Sequence, residues 1–379
     1  MKRKILYISG TRADYGLMRS VLHQIHNHES LSLDIAVTGM HLMDEFGTTV
    51  DEIKKDGFNY HIVDVCYDDD TKESMVKFIG KFIQHLTPLV RTINPDIILV
   101  LGDRGEMLGG AIVGAYLSIP VAHIHGGEVT STVDDLARHA ITKLSQIHFP
   151  ATEESAQRIH HMGEDPSQIF VVGAPGLDQI LHEPLLLPEE LEKKYHLNFS
   201  DKVLLVVQHS VTLETDQAPE QMRETLEAVS LFQYQTVIIY PNADAGGRGM
   251  IDVIKEYEDL PFIRTYKSIP HKDYLSLMQN TSVLIGNSSS GIIEAPSFGL
   301  PVINIGSRQE GRERGDNIVE AEYNRNSIVS AIKYVLNDQS FIYKVDLKIN
   351  PYGDGCSGKK ITNILNSVTI NNQLLQKRK

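Results

Sequence analysis

The stretch LIGNSSSGIIEAPSFGLPVINIG, residues 284–306, has the pattern of a strand, a tight turn, a helix and a second strand. Its first apolar run ends at Gly286, a serine-rich turn follows at 287–291, and helical spacing begins directly after the turn. The second apolar run covers 301–306. Because neither run alternates apolar with polar residues, both are typical of strands in a parallel sheet whose two faces are covered by helices.

The same kind of apolar run recurs along the chain in two series. The first series comprises 4–10, 33–39, 97–102, 121–126, 147–150 and 169–173, and the second comprises 203–208, 236–240, 261–266, 282–286 and 301–306. Helically spaced segments separate the runs. The stretch 178–200 has two prolines and no strand signal. We therefore predict an α/β fold of two Rossmann-like, doubly wound domains, 1–177 and 201–350, joined by a linker at 178–200.

Length, composition and charge exclude several classes of protein. The chain has 379 residues, of which 41% are hydrophobic and 22% charged, as in globular proteins. Its formal net charge of −13 argues against a nucleic-acid partner. No apolar run approaches the roughly 20 residues of a membrane span, and the N-terminal run is too short for a signal peptide. The only cysteines, Cys66 and Cys356, favour a reducing, cytoplasmic setting.

Polar residues follow several of the predicted strands, where parallel sheets bind ligands. They are Arg12, Asp103, Arg104, His123, His125, Glu128, His209 and the segment 287–290. Since the carboxyl ends of parallel strands meet at one edge of a sheet, we expect these groups to line a site there. In a protein of two such domains, that site is expected in the cleft between the domains.

The helix after Gly286 opens with residues suited to an anion. They are Ser288, Ser289, Ser290 and Gly291. Backbone N–H groups and hydroxyls at a helix start suit a diphosphate. Simple N-capping needs only one serine, so the surplus hydroxyls favour an anion site. Glu294, about one turn later, either holds a ribose diol or opposes the helix dipole.

His123 and His125 alternate along a predicted strand and so face one side, with Glu128 just beyond them. Three interpretations are open: a metal site, a polar catalytic wall and a hydrogen-bonded structural pair. The spacing matches no standard zinc motif, and we predict no metal. In the next helix, Arg138 is four residues after Asp134 and three after Asp135, so an ion pair with either aspartate within the helix is one interpretation.

Two glycine-rich segments are also open to interpretation. Asn242 and Arg248 lie in a segment that is either a glycine turn or a place where a ligand binds. The G-x-G-x-x-G at 353–358 follows no predicted strand, and Lys360 stands where a P-loop requires Ser or Thr. We therefore interpret 353–358 as a loop that starts the last helix, within the segment 351–379.

Seven motifs, in order along nearly the whole chain, resemble the hydrolysing UDP-N-acetylglucosamine 2-epimerases. They are SGTRADYG at 9–16, LGDRGE at 101–106, HIHGGEVT at 123–130, VDDLARHAITKLS at 133–145, PNADAG at 241–246, GNSSSGIIEAPSFGLPVINIGSRQEGR at 286–312 and NPYGDGCSGK at 350–359. The resemblance implies a GT-B-like pair of Rossmann domains with the active site in the interdomain cleft. It also implies that the helix in 351–379 packs back on the N-terminal domain.

The resemblance implies roles for residues at matching positions. UDP contacts fall on Arg12, Arg104, Ser288, Ser289, Glu294 and Arg308, to which the helix start adds Ser290 and Gly291. The catalytic cleft receives Asp103, Asp134 and His209, with His125 and Glu128 as further acid/base candidates. Asn242 and Arg248 match positions that meet ligand in relatives with a regulatory sugar-nucleotide site. No cofactor and no metal are implied.

The chain departs from many relatives at His125. Those relatives have a HIEGGE-like string with a catalytic glutamate, whereas this chain has HIHGGE and retains only Glu128 as a carboxylate there. In this respect the chain resembles branches of the family that act on bacillosamine-type as well as N-acetylglucosamine substrates. The change can therefore concern the substrate as well as the proton transfer.

The implied activity converts UDP-N-acetylglucosamine and water to N-acetylmannosamine and UDP, by elimination of UDP to a 2-acetamidoglucal followed by hydration. Such a reaction serves the biosynthesis of sialic acids and surface polysaccharides. The alternative is a hydrolysing UDP-N,N'-diacetylbacillosamine 2-epimerase of legionaminic acid biosynthesis. A GT-B glycosyltransferase and a non-catalytic UDP-sugar sensor are further alternatives. A homodimer or higher homo-oligomer is a family expectation, and no membrane partner is expected.

Overall fold

The computed structural model describes residues 2–43, 49–68, 72–129, 134–182, 184–211, 214–241 and 246–377, apart from the side chains at 72, 134, 181 and 182. The chain divides into two compact units. The first comprises Met1–Gln179 and Tyr352–Lys379, and the second comprises Ile180–Pro351. None of the helices described is both long and apolar enough to cross a membrane.

A six-stranded parallel sheet forms the centre of the first unit, in the order β3-β2-β1-β4-β5-β6. Its strands are β1 (Arg3–Ser9), β2 (Leu31–Val37), β3 (Asn59–Ile62), β4 (Ile97–Leu101), β5 (Val121–Ile124) and β6 (Ile147–Phe149). The first six helices are α1 (Arg12–Asn27), α2 (Val50–Lys55), α3 (Lys72–Ile93), α4 (Gly105–Leu117), α5 (Asp134–Leu144) and α6 (Glu153–His161). From β1 the chain adds strands first toward one edge of the sheet (β2, β3) and then toward the other (β4, β5, β6), as in doubly wound sheets.

A second six-stranded parallel sheet forms the centre of the other unit, in the order β12-β11-β10-β7-β8-β9. Its strands are β7 (Val203–Val207), β8 (Gln235–Ile239), β9 (Ile263–Tyr266), β10 (Val283–Gly286), β11 (Val302–Ile305) and β12 (Ile318–Ala321). The helices along this part of the chain are α7 (Leu177–His182), α8 (Pro188–Tyr195), α9 (Ala218–Ser230), α10 (Gly247–Lys255), α11 (His271–Asn280), α12 (Ser289–Ile293), α13 (Ala295–Phe298), α14 (Arg325–Asn337) and α15 (Gln339–Asp346).

The spacing of apolar residues explains how helices cover these sheets. In α1, Met18, Val21, Leu22 and Ile25 are all fully buried, and their separations of three, four and seven residues place them on one helix face. Every residue of β4 is buried, which matches a central strand covered on both faces. The burial of apolar surface is the main favourable term in forming such layers.

The last part of the chain belongs to the first unit and adds α16 (Ser357–Ser367) and α17 (Asn372–Gln376). The Asp178 carboxylate accepts hydrogen bonds from the backbone N–H groups of Ser357 at 2.8 Å and Gly358 at 2.7 Å. The glycine-rich segment 353–358 is thus a loop that starts the last long helix, as interpreted from the sequence. An aspartate of the same chain occupies the N–H groups that a phosphate would need there.

Two strands, β3 and β12, were not predicted from the sequence, and the strand predicted at 169–173 does not form. The strands β3 and β12 lie at sheet edges and are mostly half-exposed or exposed, so neither has a continuous apolar run. The segment 169–173, which was expected to be a strand, forms only an isolated bridge between Ile169 and His148. Edge positions need less apolar surface than central strands, which weakens their signal.

Candidate active site

The loops that follow β4 and β5 bring three of the predicted catalytic residues together. Asp103 lies two residues after β4, and His125 directly follows β5. The Nδ1 atom of His125 contacts Oε1 of Glu128, and these side chains are 13% and 11% exposed. His125 has a φ of 61°, in the left-handed region that few non-glycine residues adopt. An imidazole and two carboxylates therefore lie at one edge of the first sheet.

Arg138 of α5 contacts both of these loops. Its Nη2 pairs with Oδ2 of Asp103, its Nη1 donates to the His125 carbonyl at 2.8 Å, and the same Nη1 lies 4.0 Å from Oε2 of Glu128. These contacts are with the loops, and the ion pair within the helix stays a prediction, because the side chain of Asp134 lies outside the described part of the structure. Arg138 is therefore a site residue that the sequence analysis did not assign.

A signal for Arg138 was present in the spacing of α5. Ile141, Thr142 and Ser145 are fully buried, and Arg138, three, four and seven residues before them, is only 4% exposed. A charged residue on the buried face of a helix requires partners inside the protein. The predicted catalytic residue Asp134 begins α5, but its side chain lies outside the described part of the structure.

His123 has a structural role that differs from that of His125. It is fully buried, with Nε2 2.7 Å from the Gly102 carbonyl and Nδ1 3.2 Å from Oγ1 of Thr142. Burial lowers the pKa of His123 to about 3, so the ring is neutral at physiological pH. Both nitrogens have partners within the protein. Among the described residues, no cluster of three or more His, Cys, Asp or Glu side chains is suited to a metal ion.

The end of β1 forms a tightly bonded turn next to Arg12. Thr11 and Asp14 form a capping box at the start of α1. The Asp14 carboxylate is buried and also accepts from the Ser9 hydroxyl at 2.6 Å. Arg12 itself is exposed and pairs with Glu52 at 3.0 Å. Arg12 follows the carboxyl end of the central strand β1, as predicted, and its side chain pairs with the surface carboxylate of Glu52.

A fully buried carboxylate orients Arg104. The Nη2 atom of Arg104 lies 3.1 Å from Oε1 of Glu106, and the Tyr67 hydroxyl donates to the same oxygen at 3.0 Å. The other oxygen of Glu106 and the Nε of Arg104 are buried without a described hydrogen-bond partner. Glu106 gives no distinctive signal in the sequence, because one glutamate in the first turn of a helix is common.

In the second unit, Asn287 joins the ends of β7 and β10. Its Oδ1 accepts from the His209 N–H at 2.7 Å and its Nδ2 donates to the His209 carbonyl at 2.9 Å. Gly286 makes this approach possible: it has a φ of 136°, and a Cβ there would lie 2.1 Å from the Val207 carbonyl oxygen. The turn that the sequence marked as decisive therefore lies directly beside the predicted catalytic residue His209.

The hydroxyls of the serine turn form a small network. Ser288 caps α12, its Oγ lies 2.7 Å from that of Ser290, and the Ser290 Oγ contacts the Tyr274 hydroxyl. Ser289 is half-buried in the first turn of α12. Gly291 has a packing role, since a Cβ there would lie 2.9 Å from a methyl group of Val302. The turn thus combines N-capping with additional hydroxyls, as the sequence indicated.

Glu294 follows α12 and has an unusual electrostatic environment. Its Oε2 is buried without a described hydrogen-bond partner. Burial raises the pKa of Glu294 to about 7, although the nearby cation Arg312 opposes the shift. An unpartnered carboxylate oxygen beside the serine turn is able to accept a hydrogen bond from a bound hydroxyl group.

Arg308 lies on the other side of the same turn. Its Nη1 donates to the Asn287 carbonyl at 3.1 Å, and the adjacent Gln309 donates to that carbonyl at 2.8 Å. Arg248 is exposed on α10. Asn242, predicted to contact a ligand, lies outside the described residues.

A cavity of about 640 Å³ opens at the carboxyl ends of β11 and β12. It is lined by Glu214, Gly306, Ser307, Glu320, Ala321, Glu322, Tyr323 and Ser327. Tyr323 contributes a buried hydroxyl. An aromatic ring and several hydrogen-bonding groups in one cavity suit a planar, polar ligand.

The two doubly wound sheets place the protein in the α/β class whose members bind ligands beyond the carboxyl ends of their strands, which is where the acid/base groups and the serine turn lie. The sequence model of the family described as UDP-N-acetylglucosamine 2-epimerase matches residues 23–366. The chain belongs to this family and is a UDP-sugar 2-epimerase. The family and the fold class of two Rossmann-like, GT-B-like units expected from the sequence are thus confirmed.

Two curated relatives match the chain over nearly its full length. The UDP-N,N'-diacetylbacillosamine 2-epimerase (hydrolyzing) of Legionella pneumophila is 42% identical over 378 residues, which cover 100% of this chain and 99% of that protein. A UDP-N-acetylglucosamine 2-epimerase of Neisseria meningitidis is 35% identical, covering 99% of this chain and 98% of that protein.

A solved structure agrees with this fold. The crystal structure of UDP-GlcNAc 2-epimerase from Neisseria meningitidis bound to UDP-GlcNAc superposes with a TM-score of 0.81 at 19% identity, covering 96% of this chain and 99% of that chain. At this level of identity the likeness concerns the fold.

Proposed function

We propose that this enzyme is a hydrolysing 2-epimerase that cleaves a UDP-linked 2-acetamido sugar to UDP and the free C2 epimer. The observation that carries the proposal is the cluster of Asp103, His125 and Glu128 at one sheet edge, joined by the buried Arg138. Epimerisation at C2 needs one proton removed and one returned, and the cluster offers several groups able to transfer protons.

The substrate that the comparisons favour is UDP-N,N'-diacetylbacillosamine. The relative named for that substrate is 42% identical over the whole chain, against 35% for the relative named for UDP-N-acetylglucosamine. UDP-N-acetylglucosamine is the second candidate, since both relatives lie in one family. The presence of His125 in place of the glutamate of many relatives is in keeping with a difference in substrate.

The reaction has two steps. In the first, a base removes the C2 proton, the C2–H electron pair forms the C1=C2 double bond, and the C1–O electron pair leaves with UDP. In the second, the electron pair of the C1=C2 double bond takes up a proton at C2 from the opposite face, and a water oxygen bonds to C1 while it gives up one proton to a base. Asp103, His125, Glu128 and Asp134 are the groups assigned to these proton transfers, with His209 as a fifth catalytic residue.

The nucleotide is assigned to the second unit. Ser288, Ser289, Ser290 and Gly291 present hydroxyls and N–H groups to the phosphates, and Arg308 lies beside that turn. Positive groups and N–H donors at this point would stabilise the charge that develops on UDP as the C1–O bond breaks. The unpartnered oxygen of Glu294 would accept from the ribose diol.

Further contacts and the cellular setting complete the proposal. Arg12 and Arg104 are assigned to UDP, and Asn242 and Arg248 to substrate or regulatory contacts. We place the enzyme in the cytoplasm as a homodimer or higher homo-oligomer. The two cysteines, Cys66 and Cys356, are both unpaired, which supports a reducing environment.

The test is an incubation of the protein with each UDP-sugar in the absence of any acceptor. We expect release of UDP and of the free C2 epimer, with deuterium from D₂O at C2 and ¹⁸O from H₂¹⁸O at C1. A glycosyltransferase would release UDP only with an acceptor, and a sensor would release none. Product without solvent deuterium at C2, or without solvent oxygen at C1, would refute the elimination and hydration scheme.

A further inference from the structure

The positively charged side chain of Arg138 is buried, and burying a charge is energetically unfavourable. Its side chain is 5% exposed, and its neighbours on the buried face of α5 are uncharged. Taking a guanidinium out of water is unfavourable unless its N–H groups find charged or polar partners. The partners of Arg138 therefore indicate why the arginine is there.

Those partners are the acid/base groups themselves. One guanidinium nitrogen pairs with the carboxylate of Asp103, after β4. The other donates to the His125 carbonyl at 2.8 Å and lies 4.0 Å from the carboxylate of Glu128, after β5. A single planar group thus fixes the distance between the two loops.

The backbone of His125 gives a second, independent sign of this role. A non-glycine residue in the left-handed region persists only where its surroundings hold it. The N–H of His125 donates to the Phe149 carbonyl at 3.1 Å, and the His125 carbonyl accepts from Arg138. The arginine therefore holds the strained residue whose imidazole contacts Glu128.

We propose that Arg138 is a positioning residue, which aligns the Asp103 carboxylate and the His125–Glu128 pair for proton transfer at C2. This role rests on the proposed function. A lysine is not equivalent, because one ammonium group cannot reproduce two directed contacts of a planar fork.

The test compares Arg138→Ala and Arg138→Lys with the control Arg158→Ala. Arg158 also donates to a carbonyl in the loop after β5, that of Gly127 at 3.1 Å, but it pairs in addition with the surface residue Glu154. We expect kcat to fall about 100-fold in Arg138→Ala, because small misplacements of reacting groups cost about that factor. Arg138→Lys should fall similarly, and Arg158→Ala should stay within about twofold of the wild type.

Three further readouts separate positioning from a general loss of structure. KM for the UDP-sugar and the Kd for UDP should change less than about threefold in the Arg138 variants. Guanidinium ion should restore part of the activity of Arg138→Ala, whereas methylammonium should not. The pH profile of kcat/KM should also differ between Arg138→Ala and the wild type, because Arg138 contacts both loops that hold the acid/base groups.

Several outcomes would overturn the proposal. Arg138→Lys with full kcat would do so even if Arg138→Ala fails to fold, because the fork would then be dispensable. A loss confined to KM, or an equal loss in Arg158→Ala, would indicate substrate binding or simple loop support. Wild-type protein that releases no UDP from either sugar nucleotide would remove the proposed function, and this role with it.

Discussion

Asn287 holds the backbone of His209 from both sides, accepting from its N–H at 2.7 Å and donating to its carbonyl at 2.9 Å. Asn287 is fully buried, and its own N–H donates to the Val207 carbonyl at 3.2 Å. One amide side chain therefore joins the end of β7 to the end of β10. It fixes the predicted catalytic residue His209 relative to the serine turn.

We expect Asn287→Asp to lower the free energy of unfolding by about 1–3 kcal/mol, because an ionised carboxylate at this fully buried position has no donor for the His209 carbonyl. Urea unfolding measures this change, and kcat should fall with it if His209 acts in catalysis. The control is Asn337→Asp, whose exposed amide donates to the Lys333 carbonyl at 2.7 Å. Equal destabilisation of the two variants would contradict the buried role of Asn287.

Asp103→Asn tests the acid/base assignment. The substitution keeps the size of the side chain but removes its basicity and its charge interaction with Arg138. We expect kcat to fall by about 10²–10⁴-fold with UDP affinity unchanged. Asp68→Asn is the matched control, since Asp68 pairs with Lys81 at 3.1 Å on the surface. An Asp103→Asn enzyme with more than half of the wild-type kcat would show that this carboxylate transfers no proton.

Glu294 should make the stability of the protein depend on pH. Its pKa is raised from 4.5 to about 7 in the folded protein by burial. The folded state therefore binds more protons than the unfolded state between these values, and stability falls as pH rises from about 4.5 to 7. The expected loss is on the order of 1–3 kcal/mol.

Glu294→Gln should remove this dependence, because an amide does not titrate. Urea unfolding at pH 5 and pH 8 gives the comparison: the difference between the two pH values should be smaller in the variant. UDP affinity should also weaken if the carboxylate accepts from the ribose diol. Parallel pH profiles for the two proteins would indicate that Glu294 titrates normally.

Much of the fold could be predicted because parallel strands carry a strong signal. The central strands, such as β4 and β7, are apolar throughout and buried at every position. The edge strands β3 and β12 were missed because their exposed residues interrupt the apolar run. Strand ends also located Asp103 and His125, since topology alone brings such residues to one edge.

The interactions of side chains could be predicted less well. Arg138 is near Asp134 in sequence but contacts Asp103, 35 residues away, and no local pattern specifies that pairing. Likewise, His123 and His125 alternate along one predicted strand. The ring of His123 is buried and neutral, whereas the ring of His125 contacts Glu128. Burial decides between such roles, and burial depends on the packing of the whole unit.

The contact between Glu164 and Lys377 should make the protein more stable to acid. The Glu164 carboxylate is 3% exposed and accepts from Lys143 at 2.6 Å, Lys377 at 2.7 Å and His148 at 3.2 Å. Burial alone would raise the pKa of Glu164, but these hydrogen bonds outweigh it and hold the pKa at about 2. The resulting stability is present above the unfolded value of 4.5 and is lost as pH falls from about 4.5 to 2.

Lys377→Ala removes one of these three donors and also the hydrogen bond from Nζ to the Lys143 carbonyl near the end of α5, at 2.7 Å. We expect a loss of about 1–3 kcal/mol in the free energy of unfolding at pH 7 and an acid transition at higher pH, because the carboxylate is left less compensated. Lys255→Ala, which breaks an exposed pair with Asp252, should change stability by less than about 0.5 kcal/mol. If the two variants unfold at the same pH and urea concentration, the buried Glu164 cluster does not stabilise the first unit.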